Sequence, residues 1–178
     1  MYVLLLRGIN VGGKNKVSMK ILRTQLLNLG YEEIITYINS GNILFSSSRE
    51  PQKIKDDLNH MFEKNYDFTI KYSLIPAEEY KSAFEKLPIW WFEPMARKDV
   101  LFFTEEADRQ AIISRVGNMK LHNEKIYIDE NAIFWGKYDE KEYLKTAYHK
   151  YLLKETFYKH VTIRNERTCN QILSLIEK

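Results

Sequence analysis

A single cysteine, Cys169, stands among the 178 residues, which excludes a disulfide framework and a thiolate metal cage. Histidine is nearly as scarce. His60, His122, His149 and His160 are scattered without ligand spacing, so neither a metal nor a cofactor is expected. No apolar stretch approaches the ~20 residues that span a bilayer, and no membrane partner is expected. The opening "MYVLLL" lacks the charged start and small-residue cleavage site of a signal peptide, so the expected location is the cytoplasm. A G-x-S-x-G hydrolase elbow is also missing. Acid is lacking from one region in particular: residues 1–30 carry Arg7, Lys14, Lys16, Lys20 and Arg23 and no Asp or Glu.

What is present suits a packed core with a wet surface: 44% hydrophobic, 13% aromatic and 29% charged residues. The net charge of +3 is unevenly spread. Residues 31–136 hold 13 basic and 18 acidic side chains, and residues 137–178 hold nine and six. Both ends are therefore basic and the middle acidic. Ends that meet in space would form one positive patch; ordinary surface scatter is the plainer alternative.

Periodicity orders the elements. The continuous apolar run Tyr2–Arg7 reads as a buried central strand. Ser18 then caps a helix running to Gly30, with Met19, Leu22, Leu26 and Leu29 on its apolar face. "EEIITYI" and "NILFSSS" form a hairpin across the turn Asn39–Asn42. Pro51 opens a helix carrying Ile54, Leu58 and Met61, and "FTIKYSL" follows as a strand. The order β-α-β-β-α-β in residues 1–75 is that of a ferredoxin-like unit with an antiparallel sheet. Residues 76–178 make a second half: a helix with Tyr80, Phe84 and Leu87 inward, a connector between Pro88 and Pro94, strand "DVLFF", helix "EADRQAIISRV", and hairpin "KIYIDENAIFWGK". A helical tail with a stripe of Tyr143, Leu144, Ala147 and Tyr151 precedes a last helix carrying Ile172, Leu173 and Ile176. The expected fold is α+β in two small α/β sandwich halves, the second a βαββα variant with extra C-terminal helices and no fourth strand. No sequence repeat relates the halves.

Chemistry concentrates in two stretches. "GINVGGKN", residues 8–15, nearly matches the phosphate loop G-x-x-x-x-G-K-S/T, but Asn15 stands where the magnesium-binding hydroxyl belongs. The best helix cap, Ser18, also lies too far beyond Lys14, and the expected antiparallel sheet is wrong for an NTPase. "IYIDE" resembles a Walker B strand, yet Asp129 and Glu130 fall in the hairpin turn "DENA", and serving that turn is the plainer role for them. An anion cradle survives this: the amides of Gly12 and Gly13 converge beside Lys14, with Arg7 and Lys16 flanking. A solvated glycine turn is the plainer alternative. The second stretch is "TIRNERT", residues 162–168. Asn165 caps the last helix, and Arg164 and Arg167 flank its positive end, an arrangement that a bound phosphate or carboxylate would favour. Pairing with Glu166 or with middle-segment acids is the alternative. Cys169 reads as a core thiol. Trp90, Trp91 and Phe92, and the hairpin pair Tyr127 and Phe134, suit either packing or base stacking.

Taken together, "LLRGINVGGKNKVSM", "YINSGN" and "TIRNERT" in this order resemble one bacterial family, the domain of unknown function 1697 (DUF 1697). The resemblance runs over the whole chain and implies a two-part α+β protein. Its motif positions fall here on Arg7, Gly8, Asn10, Gly12, Gly13, Lys14, Ser40, Gly41, Asn42, Thr162, Arg164, Asn165 and Thr168. It implies no catalytic assignment. The expected function is binding of a small phosphate- or carboxylate-bearing ligand at the glycine loop together with the Arg164/Arg167 helix end. Nucleic-acid binding through the basic ends ranks second. An enzyme acting on a phosphorylated metabolite ranks third, because Glu166 is the one acid in the motifs and a general base is otherwise missing.

Overall fold

Strand β1 (Tyr2–Leu6) is apolar without alternation because both of its faces are covered. Leu4 and Leu6 enter one core, while Val3 and Leu5 enter another. The computed structural model describes residues 1–105 and 107–178. Helix α1 (Met19–Asn28) starts at Ser18, whose hydroxyl accepts from the Ile21 amide. Strands β2 (Glu32–Tyr37) and β3 (Asn42–Ser46) form the expected hairpin. Helix α2 (Pro51–Asn65) opens on its proline, and β4 (Tyr72–Pro76) begins a few residues later than the apolar pattern suggests. These strands make an antiparallel sheet in the order β2-β3-β1-β4. Both helices bury their apolar stripes on one face, where Leu22, Leu26, Ile54 and Leu58 meet Leu4, Ile43 and Phe45.

The second half repeats this plan. Helix α3 (Ala77–Glu85) leads through a 3-10 turn at Ile89–Phe92 to β5 (Arg97–Phe103). Helix α4 (Arg109–Gly117) is capped by Asp108; Glu106, where the sequence pattern starts this helix, lies outside the described residues. Strands β6 (Glu124–Ile128) and β7 (Ala132–Lys137) form the second hairpin. Two expectations fail beyond it. The tail is no continuous helix: it holds 3-10 turns around a four-residue helix, α5 (Ala147–Lys150), and Leu144 and Tyr151 face solvent. Before the last helix, where no strand is expected, lies β8 (Val161–Asn165), paired with β5. The second half therefore has its fourth strand. Its sheet order, β6-β7-β5-β8, repeats that of the first. Helix α6 (Glu166–Ile176) follows β8 directly, as α3 follows β4.

The tail folds irregularly because buried polar groups hold it. The Glu124 carboxylate accepts from Trp135 Nε1 (2.7 Å) and from the Ala147 and Tyr148 amides, fixing the start of α5 against the second sheet. Alongside, Lys137 pairs with Asp99 at 2.9 Å, both fully buried, and its ammonium lies 3.3 Å from the centre of the Tyr148 ring. Burial pushes this lysine's pKa down, while Asp99 opposes the shift.

Helices α3 and α6 lie between the two sheets. Tyr80, Phe84, Cys169 and Ile172 fill the space between Val3, Leu5, Leu44 and Ile75 of the first sheet and Val100, Phe102 and Phe134 of the second. A third core, with Leu101, Ile133 and Trp135, joins the second sheet to α4 and the tail. No helix among the described residues is long and apolar enough to cross a membrane.

Candidate functional site

The β2–β3 turn approaches the end of β1 so closely that only glycine fits at position 41. Gly41 has φ +77, and a Cβ there would stand 2.7 Å from Leu6 Cβ. Its carbonyl accepts from the Leu6 amide at 2.8 Å. Asn42, fully buried, donates to Tyr37 O and Ser40 Oγ, both at 3.0 Å, which leaves its own carbonyl oxygen facing β8.

Arg164 takes that oxygen. It lies in β8 with 7% exposure, and its guanidinium reaches across to the first sheet. Nε donates to Asn42 Oδ1; Nη1 donates to Thr162 Oγ1 and Ile163 O, both at 2.9 Å; Nη2 faces Leu6 O (2.8 Å), Ser40 O (3.0 Å) and Gly41 O (3.2 Å). Thr162 completes the arrangement by donating to Leu6 O at 3.0 Å. The five N–H groups of a guanidinium are thereby engaged by the protein. Burial pushes its pKa down to about 10, which still leaves it charged at neutral pH. Arg7 turns the same way: Nε donates to Val161 O (2.9 Å) and Nη2 to Tyr158 O (3.1 Å). The three sequence motifs thus meet at one place, with Arg164 as the strut between them.

This geometry separates residues that the sequence placed together. Arg164 is not at the helix end with Arg167; it precedes the cap, and its donors go to backbone carbonyls, the Asn42 side chain and the Thr162 hydroxyl. Asn165 caps α6 by accepting from the Thr168 amide at 2.9 Å, and Arg167 is exposed. The chain ends do meet, but there Arg7 and Arg164 turn guanidinium donors inward onto oxygens of the protein. The stacking platform is excluded: Phe134 is fully buried beneath Trp91 and Phe84, and Tyr127 packs against it. Asp129 serves the β6–β7 turn, accepting from the Asn131 amide at 3.2 Å. Cys169 is a fully buried thiol.

The glycine loop stands outside the strut, exposed from Asn10 to Lys16. Gly12 (φ +58) and Gly13 (φ +78) form a left-handed two-residue turn closed by Lys14 N→Val11 O at 3.1 Å. Asn15 donates to Gly8 O (3.0 Å), replacing the magnesium role of a phosphate loop with a brace on the loop's own base. Asn10 is the loop's anchor. Its side chain donates to Val17 O (2.9 Å) and Asn39 O (2.8 Å) and accepts from the Val17 amide (2.9 Å). A groove of about 710 Å³ opens between this loop, the β2–β3 turn and the start of α1, lined by Asn10, Gly13, Lys16, Ser18, Lys20 and Asn39 among others. Sequence reasoning did not single out Lys20 or Asn39 for this place. The run Lys14, Lys16, Lys20 without an intervening acid was the available signal.

The β2–β3 turn carries one further anomaly. Ile38 has φ +48 and is 52% exposed. A β-branched residue in the left-handed region costs roughly 1–2 kcal/mol, and burial gives nothing back here.

Comparison with known proteins agrees with this architecture. The chain is similar to the conserved bacterial protein SP0830 from Streptococcus pneumoniae, with 47% identity, a TM-score of 0.94, and coverage of 98% of this chain and 97% of that one. No curated protein matches it. The family model described as "Protein of unknown function (DUF1697)" matches residues 1–134, a span that holds the glycine loop and the β2–β3 turn. The chain belongs to the DUF1697 family.

Proposed function

We propose that this protein binds a phosphate- or carboxylate-bearing ligand in the groove between the glycine loop and the start of α1. The observation that carries the reading is the lining itself. Lys16 and Lys20 supply positive charge, and Asn10, Ser18 and Asn39 supply hydrogen-bonding groups. Among the described lining residues there is no carboxylate to oppose an anion and no imidazole or acid to act as a general base. Binding without catalysis is what such a lining supports. The braced loop adds to it, because a ligand that meets pre-formed geometry loses little to ordering. Arg7, Ser40, Asn42, Thr162 and Arg164 belong to this reading as the floor that holds the loop base and the turn, not as ligand contacts. Lys14, on the loop's turn, adds charge at the rim.

Thermal melts in phosphate at constant ionic strength test this. A site-specific ligand stabilises by mass action, about 2.7 kcal/mol at a hundredfold excess over Kd. The wild type is expected to gain melting temperature with phosphate, and the variant carrying Lys16→Gln and Lys20→Gln to gain none. Equal gains in both proteins, or no gain in the wild type, would remove the groove from consideration.

A further inference from the structure

Two exposed apolar side chains stand next in the chain to Asn10 and Asn39, which line the groove, and a site for a bare anion has no use for them. Val11, next to the Gly12–Gly13 tip of the glycine loop, is 68% exposed, and Ile38, next to Asn39 in the tip of the β2–β3 turn, is 52% exposed. The two tips are tied side by side: Asn10, next to Val11, donates to the carbonyl of Asn39, next to Ile38, at 2.8 Å. Conformational preference does not place isoleucine at position 38. Glycine or asparagine would hold the backbone of position 38 with less strain and without exposing a butyl side chain to water. Isoleucine at this position is a cost to the isolated fold on two counts. Strain of this kind persists where the surrounding structure over-determines it, and it gathers at ligand clamps and other functional sites. The lysines beside it fix the sign of a ligand's charge.

We propose that the ligand of this groove is an organic anion with an apolar arm: its phosphate or carboxylate meets Lys16 and Lys20, and its arm lies on Ile38 and Val11. The inference rests on the anion-binding reading above and adds the chemical class of ligand. The braces on the loop matter to it. Lys14 N→Val11 O, Asn10 N→Asn15 O and the Asn15 side chain to Gly8 O hold the backbone on both sides of Val11 in place before the ligand arrives.

Inorganic phosphate and n-butyl phosphate are the probes, with affinities measured by titration on the full chain and n-butanol as control. Transfer of each methylene from water contributes about 0.8 kcal/mol at full burial, so partial burial of a butyl arm is expected to favour butyl phosphate by roughly tenfold. In Ile38→Asn the melting temperature without ligand is expected to rise, inorganic phosphate to bind as before, and the butyl preference to shrink to about twofold. Val11→Ser is expected to reduce the preference without raising the melting temperature. Equal affinities for the two phosphates in the wild type, or a preference that survives both substitutions, would overturn the apolar arm and leave the anion site standing. Binding of neither phosphate would overturn both readings. Sedimentation with phosphatidylglycerol vesicles that Ile38→Asn abolishes, without any butyl preference in solution, would assign the tips to a membrane surface and overturn the proposal.

Discussion

Arg164 and Arg167 stand three positions apart, and the structure gives them opposite weights. Arg164 serves oxygens on three segments of chain, of which Leu6 O keeps a donor from Thr162 and Gly41 O keeps the Leu6 amide. Ser40 O and Asn42 Oδ1 lose theirs outright if the guanidinium is removed. Leaving buried acceptors unpaired at a strut between two sheets costs on the order of 3–5 kcal/mol. Arg164→Gln is therefore expected to lower stability by that amount in urea unfolding, with no phosphate present. Arg164→Lys should recover less than half, since an ammonium cannot fork toward Asn42, Thr162 and Leu6 at once. Arg167→Gln, at an exposed position, should stay within about 0.5 kcal/mol of wild type. Similar small effects for both arginines would restore the expectation drawn from sequence, in which each repels the helix dipole and waits for an anion.

Helix α6 is the element through which alkaline pH reaches the core. Cys169 on this helix is fully buried beside Tyr80, whose hydroxyl donates to the Cys169 carbonyl at 3.3 Å. Burial pushes the thiol from its ordinary value of 9.0 up to about 12. The sign follows from linkage. Below pH 9 the thiol is protonated in both states and stability is unaffected. Between about 9 and 12 only the unfolded chain ionises, so the folded state loses up to ~1.4 kcal/mol per pH unit until the folded thiol titrates too. The loss above pH 9 should be smaller in Cys169→Ala, and thiolate absorbance at 240 nm should appear near pH 12 or on unfolding, not at pH 9. A thiolate signal at pH 9 in the folded protein would place Cys169 in contact with water. The same helix shows what the sequence discloses. Its cap, Asn165, and its inward Ile172 are local signals, and so are the stripes of α1 and α2, the proline at Pro51 and the turn at Asn39–Asn42. Strand β8 was not legible, because its pairing is with β5, some sixty residues away, and because the residues that make it polar, Thr162 and Arg164, are polar for the sake of Leu6 and Asn42. The tail stripe misled for a related reason: Glu124, remote in sequence, takes the Ala147 and Tyr148 amides and joins the Thr146 cap in fixing where α5 begins. The groove was half legible. Glycines and lysines marked the loop, but nothing local announces that Asn39 and Lys20 close its other sides, or that Arg164 points away from it.

At the scale of the molecule the same strand order occurs twice, and the two copies are joined reciprocally. Arg7, the residue after β1, reaches the start of β8 through Nε to Val161 O, and Glu105, two residues after β5, reaches the start of β4 through its amide to Tyr72 O, each at 2.9 Å. Between the copies lies a core that belongs to neither. Val3, Leu5, Leu44 and Ile75 of the first sheet are covered only by α3, α6 and what packs with them. Uncovering four such side chains costs about 6–12 kcal/mol at ~1.5–3 kcal/mol each, which equals the whole stability of an ordinary domain. Division into units 1–75 and 76–178 by element order therefore does not predict independent folding. The full chain is expected to melt in one transition whose calorimetric and van't Hoff enthalpies agree. A chain ending at residue 76 retains every residue of the outer core around Leu4, Leu26 and Leu58, yet it is expected to show no cooperative melt, since its inner face and the Ser40 and Asn42 acceptors are left to water. Arg164→Gln should lower the single transition without splitting it. Two resolved transitions in the full chain, or a cooperative melt of the 1–76 chain within a few degrees of the parent, would show instead that the inner core contributes far less than its buried area implies and that each half carries its own stability.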